Sequence, residues 1–174
     1  MKSFIQFCES YKPKFKKMLN KANSSEHHWQ QTVDNRERMM QEVPHVDFYV
    51  SSTVSSMNVL HVLDFHREWV NLGLIKAKDW NINLCQSPNW YRPDIFPNDF
   101  KKNVIQPAYE KHIAWLEPQD SLKRATNGFK SVVNLMNSQD ATHHWDKFVF
   151  EIADLDRVRE EDFWATFPEF NSLK

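Results

Sequence analysis

Glycine is nearly absent from this sequence: Gly73 and Gly128 are the only two in 174 residues. A loop that wraps backbone around phosphates needs several, and neither GxGxxG nor GxxxxGK occurs, so nucleotide sites of those two kinds are excluded. Cysteine is equally scarce. Cys8 and Cys85 do not make a disulfide framework, and a reducing cytoplasm is the expected compartment. No apolar run reaches the length of a membrane span, so no membrane partner is expected. The opening MKSFIQFCESYKPKFKK carries too much charge after a short apolar stretch to read as a signal peptide. Neither sign of charge dominates: 22 basic residues face 23 acidic ones, which argues against a broad phosphate-binding face and against nucleic acid as a partner. Internal repeats and low-complexity segments are also missing.

Apolar mass is not lacking. Hydrophobic residues make up 41% of the chain and aromatics 14%, enough for the core of one domain of ordinary size. Trp29, Val33, Arg36, Met40 and Val43 recur at helical spacing, which predicts a helix over 27–42 stopped by Pro44. Val46, Phe48 and Val50 alternate with Asp47, Tyr49 and Ser51, which predicts a strand over 45–52. Asn58 is a good N-cap for a helix over 59–72, and Gly73 is placed to cap its far end. A second short strand fits 80–85. Strand, helix, strand in that order implies a parallel pair.

Beyond that point the chain turns helical. The loop QSPNWYRPDIFP, 86–97, holds three prolines and is too aromatic for a mere tether. Helices are expected over 98–116, capped by Asn98 and bent at Pro107, and over 119–137, interrupted at Gly128. Asp140 should cap a last helix with Trp145, Phe148, Val149, Ile152 and Leu155 on one face. The tail DFWATFPEF, with three Phe and one Trp, should pack down. The acidic cluster Asp154, Asp156, Glu160, Glu161 and Asp162 is mixed with Arg157 and Arg159, as on a solvated helix face.

Few residues suggest chemistry by themselves. His27-His28 and His143-His144 look like metal ligands, but adjacent helical side chains diverge by about 100°, so each pair supplies one ligand at best. His61 and His66 also diverge, and HExxH does not occur. Cys85 closes a predicted strand with no orienting His or Asp near it in sequence, which fits a structural thiol better than a nucleophile. The 51–58 turn stands out. Ser51, Ser52, Thr53, Ser55 and Ser56 supply five hydroxyls, and Asn58 a carboxamide, between a strand's C-terminal end and a helix start. Ligands of parallel sheets bind at that edge. Local capping by the same residues is the equal alternative.

Four stretches taken together resemble the C-terminal portion of radical S-adenosylmethionine (radical SAM) proteins of the twitch-domain type: WQQTVDN, VDFYVSSTVSSMNVLHVLDFHREW, NINLCQSPNWYRPDIFPNDFKK and WDKFVFEIADLDRVREEDFWATFPEF. The matching positions are Thr53-Val54-Ser55 with Asn58, Ser87-Pro88, Pro97 with Lys101, and Arg159 with Phe163 and Phe167-Pro168-Glu169. Their order and spacing, over about 29–170, carry the likeness. The resemblance implies an α/β fold: a partial (β/α) barrel fragment with a short parallel sheet, followed by a helical C-terminal region. It divides the chain into a variable N-terminal helix and linker (1–28), a barrel segment (29–97) and a helical region (98–174). It also implies that Ser55 and Asn58 face the ribose or amino-acid end of S-adenosylmethionine, and that the backbone near Cys85 and Gln86 faces its adenine.

The departure from the family is as informative. Radical SAM enzymes hold a 4Fe–4S cluster on the three thiolates of CxxxCxxC, and this chain has two cysteines far apart. The early barrel strands and the auxiliary cysteine clusters of the related SPASM type are missing as well. The expectation is therefore the C-terminal portion of a radical SAM-type enzyme, not catalytic alone, with neither cofactor nor cluster bound by this chain by itself. Three readings stand side by side: a truncated reading frame, a remnant kept for binding, or one half of a split enzyme, whose partner would be a separate N-terminal radical SAM half. The alternative is a small interaction module that uses Trp90, Tyr91 and the aromatic tail as its surface. Single-stranded nucleic acid on Trp90, Tyr91 and Arg92 is disfavoured by the charge balance. With only two strands to be found, one sheet edge should remain open.

Overall fold

A computed structural model describes residues 25–174 of the chain. The expected short N-terminal helix, Cys8 and the side chains of His27, His28 and Trp29 lie outside the described residues. The chain divides into two compact units: one is Val43–Phe148, and the other joins the chain up to Glu42 to Val149–Lys174.

The second unit contains helix α1 (Ser25–Glu42) and the aromatic end of the chain. Its tail packs down, as the three Phe predicted. Phe163 and Phe170 are buried and stack with centroids 5.8 Å apart. Phe163 opens a single helical turn, α6 (Phe163–Thr166), whose N-cap Asp162 accepts from the Ala165 N–H at 2.9 Å. Asp156 accepts from the Phe163 N–H, so this carboxylate anchors the tail. Arg157 pairs with Asp154 three residues before it on the exposed face of helix α5 (Trp145–Arg159).

Within Val43–Phe148 the sheet has two strands, β1 (Val50–Val54) and β2 (Trp80–Leu84), parallel and in register from Val50 opposite Trp80 to Val54 opposite Leu84. The expected strand over 45–52 is displaced towards its C-terminal end. Val46 and Tyr49 are 49% and 57% exposed. The reason is the partner. The ladder begins where the Val50 N–H meets Asp79 O at 2.9 Å and ends where the Cys85 N–H meets Val54 O at 2.9 Å. Alternating residues upstream of Val50 have no strand beside them among the described residues, so alternation alone does not make them one.

Helix α2 (His61–Asn71) joins the strands and ends as expected. Gly73, at φ +72°, reverses the chain, and the Leu74 N–H reaches back to Trp69 O. The strand side chains divide cleanly. Val50, Ser52, Val54, Trp80, Ile82 and Leu84 share one face, and Ser51, Thr53, Asn81 and Asn83 the other. Trp80 is fully buried on the first face, within ring contact of Phe65 and His66 of α2.

The C-terminal part is helical, as expected, with two corrections. The helix expected over 98–116 is irregular just ahead of Pro107. It runs as a turn at Asn98–Phe100, a π-helical turn at Lys101–Ile105, and then α3 (Gln106–Leu116), with Pro107 directly after the wide turn. Its N-cap is Pro97 rather than Asn98, whose amide reaches Asp140 instead. Helix α4 (Arg124–Ser138) is not interrupted at Gly128. The glycine serves packing: a Cβ there would sit 2.9 Å from Cβ and Cγ1 of Ile82. The missing side chain lets α4 lie directly against β2. Asp140 caps the next turn, Thr142–His144, through the Thr142 N–H. No described helix is long and apolar enough to cross a membrane.

Candidate functional site

Both strands end at one edge of the sheet, and the sequence-predicted residues gather there. The Asn58 side chain braces the turn after β1. Its Oδ1 accepts from the Ser55 N–H at 2.8 Å, and its Nδ2 donates to Thr53 O at 3.0 Å. Ser55 Oγ accepts from the Met57 N–H at 3.3 Å. Asn58 is not the side-chain cap of α2 that the sequence suggested; the helix starts at His61 with no side-chain cap. Turn residues 56–60 lead into the helix, and the carboxamide is consumed in holding them.

Cys85 and Gln86 follow β2 at the same edge. Cys85 extends the ladder through its N–H, and its half-buried thiol lies 3.7 Å from Ser87 O. Gln86 is exposed. The Ser87-Pro88 bond is cis, and the loop then coils into short turns at Asn89–Tyr91 and Pro93–Ile95. The Ser56 N–H donates to Tyr91 O at 2.9 Å, tying the two strand-end loops to each other. Ser56 is fully buried, and its hydroxyl has no hydrogen-bond partner among the described residues. Trp90 lies under the Lys147 ammonium at 5.3 Å, and Tyr91 packs edge-on against Phe148.

Below this loop lies a buried ionic group. Asp94 is fully buried and takes a two-pronged contact from Arg92, at 3.1 and 2.6 Å, and a third bond from Gln139 at 3.1 Å. Lys101, buried in the π-helical turn, donates to Asp94 O at 3.2 Å. Burial pushes its ammonium below the ordinary lysine value, and Asp140 and Asp94 oppose that shift. The two cations and the acids around them balance, so the group locks the loop rather than offering a net charge to a ligand.

A second constellation joins two helices that no motif links in sequence. His66 on α2 and His112 on α3 are both fully buried, with His66 Nδ1 3.0 Å from His112 Nε2. His66 Nε2 lies 3.2 Å from Ala77 O, an acceptor, so this nitrogen carries the proton. Nδ1 of His66 is then bare, and His112 must donate to it from Nε2. That leaves His112 Nδ1 as a buried lone pair without a hydrogen-bond partner among the described residues. Trp80, Trp115 and Phe129 enclose the pair. Burial drops His66 to about 4, against partial support from Ala77 O and Asp120. Burial, then His66 and Arg67, drop His112 to about 3. Both rings are therefore neutral at pH 7. Sequence spacing offered one clue: Ile105, Tyr109, His112 and Leu116 fall on the buried stripe of one helix.

The rings of His143 and His144 lie with centroids 4.0 Å apart, and among the described residues no group of three His, Cys, Asp or Glu could hold a metal ion. No family model, no curated protein and no solved structure matches this chain.

Proposed function

We propose that this chain is the C-terminal portion of a radical SAM-type enzyme, one part of a (β/α) barrel and not catalytic alone. The observation that carries the reading is the sheet. Two parallel strands are joined through a helix, apolar towards that helix and lined with hydroxyls and amides on the other face, with polar turns at both C-terminal ends. A ligand wall of an α/β barrel has this construction, and two strands make too little sheet to be a complete one.

The residues present do not fit the iron–sulfur cluster, which needs three thiolates where the chain has Cys8 and Cys85. A separate N-terminal half would bring it. For S-adenosylmethionine the fit is partial. Ser55 and the backbone at Cys85 and Gln86 line the strand-end edge, whereas both polar atoms of Asn58 are already engaged within the turn. Asn58 then shapes the site instead of touching the cofactor. Anaerobic reconstitution of the chain with iron and sulfide tests the reading. No cluster absorption and no reductive cleavage of S-adenosylmethionine are expected, and the appearance of both in this chain alone refutes it.

A further inference from the structure

Two imidazoles joined by a hydrogen bond have a limited capacity for protons, and the geometry of His66 and His112 sets that limit. With both rings neutral, His66 Nε2–H donates to Ala77 O at 3.2 Å and His112 Nε2–H donates to His66 Nδ1 at 3.0 Å. Of the four ring nitrogens only His112 Nδ1 is then bare. A first proton enters there, and the bridging hydrogen crosses to His66. One N–H bond forms at His112 Nδ1, one breaks at His112 Nε2 and one forms at His66 Nδ1. The bridge survives with its direction reversed. The charge rests on His66, beside Ala77 O and Asp120, which both favour it.

A second proton has only His112 Nε2 left to occupy. That sets N–H against N–H across a 3.0 Å contact between two positive rings, and the contact must open. The surroundings do not offset the second charge. Arg67, next to His66 on α2, opposes charge on both rings, and its guanidinium lies 5.0 Å above Trp115 of α3. Asp120, just after α3, supports His66. β2 and α4 bring the uncharged rings of Trp80 and Phe129, 4.6 and 5.3 Å from His66.

The bridge also holds three parts of the fold at one point. His66 belongs to α2, His112 to α3, and Ala77 to the chain that enters β2. Trp80, the first residue of β2, packs on His66 and stands opposite Val50 at the start of the ladder. We propose that the His66/His112 bridge is a proton-operated latch, closed with no proton or one and open with two, whose opening frees the 77–80 end of β2 while the strand-end turns stay folded. The latch does not depend on the function proposed above.

Nitrogen-15 spectra of the histidines and amide exchange, both on the full chain, test this. At pH 7 His66 should carry hydrogen on Nε2 alone, and a coupling across the bridge should join His112 Nε2 to His66 Nδ1. On acidification the coupling should persist through the first proton, with the hydrogen of His112 now on Nδ1, and vanish with the second. Past that point protection of the Val50 amide, where the ladder begins, should fall about tenfold further than that of the Cys85 amide, where it ends. His112→Gln still offers an amide donor to His66 Nδ1 but removes one titrating ring, and it should abolish the difference between the two amides. Loss of the coupling with the first proton overturns the proposal. So does an equal loss of protection at Val50 and Cys85, which is global unfolding, and so does a selective loss that persists in His112→Gln. Should that variant not fold, the coupling and the comparison of Val50 with Cys85 in the unaltered chain decide by themselves.

Discussion

Acidifying the protein below pH 6.5 should destabilise it, and the buried histidine pair sets the size of the effect. In the folded chain His66 is held at about 4 and His112 at about 3, against an ordinary 6.5. The unfolded chain therefore binds more protons than the folded one throughout the interval from about 6.5 down to about 4. Stability must then fall as pH falls, by roughly 1.4 kcal/mol per pH unit for each proton of difference. Two rings give about 2.7 kcal/mol per unit once the unfolded rings are fully charged. The slope fades above pH 6.5 as the unfolded rings lose their protons as well. Below about 4 the folded rings charge too, and the slope fades. Glu68 opposes this. Burial, aided by Asp64, raises its carboxyl to about 7, so the folded state keeps a proton that the unfolded state loses between 4.5 and 7. Glu68 is half-exposed, and solvent screening reduces its share. The net loss between pH 6 and pH 5 is about 2 kcal/mol, a large part of an ordinary domain's stability. Urea unfolding followed by tryptophan fluorescence at pH 7, 6 and 5 measures it, and Glu68→Gln should steepen the drop. A midpoint that stays level or rises on acidification in the Glu68→Gln background refutes the assignment of two neutral buried rings.

Four substitutions probe other contacts. Gly128→Ala pushes a methyl to 2.9 Å from Ile82 and should cost about 1–3 kcal/mol in urea unfolding, with Ile82→Ala partly relieving the clash in the double variant. Arg92→Ala strands the buried Asp94 carboxylate and should cost about 3–5 kcal/mol, while Arg92→Lys recovers little because the two-pronged contact is lost; chemical denaturation ranks the three chains. Tyr109→Phe removes the hydroxyl that donates to buried Val59 O at 2.8 Å and should cost about 1–3 kcal/mol by thermal or urea unfolding. Asn58→Ala deletes the brace of the strand-end turn at about 1–2 kcal/mol, and it should also accelerate exchange of the Ser55 amide.

What could be read in advance was whatever depends on near neighbours in sequence. The α2 helix, its glycine terminus at Gly73 and the aromatic tail follow from local periodicity and backbone freedom, and the structure has them. Where β1 starts was not legible, because a strand begins where its partner does, and Asp79 and Trp80 are thirty residues away. Gly128 looked like an interruption because sequence shows the missing side chain and not the Ile82 that needs the room. Asn58 reads as a helix N-cap, but whether its amide caps a helix or braces a loop depends on two hydrogen bonds that composition does not specify. The His66/His112 contact spans 46 positions, and no spacing rule joins residues on two different helices. Only its buried outcome leaves a trace, as a polar residue on an apolar stripe.

The π-helical turn at Lys101–Ile105 works as a phase adjuster. A regular helix advances by about 100° per residue, so one residue more or fewer rotates everything on one side of the change relative to the other. Ile105, Tyr109, His112 and Leu116 are fixed by the core on the C-terminal side. Phe100, Lys101 and the Asp94 loop are fixed on the N-terminal side. The wide turn absorbs the difference between the two. Deleting a single residue within 101–105 would let the helix wind regularly at the expense of swinging Lys101 out of its pocket and away from Asp94 O. The same turn thus joins the strand-end loop to the histidine core without forcing one helical phase on both.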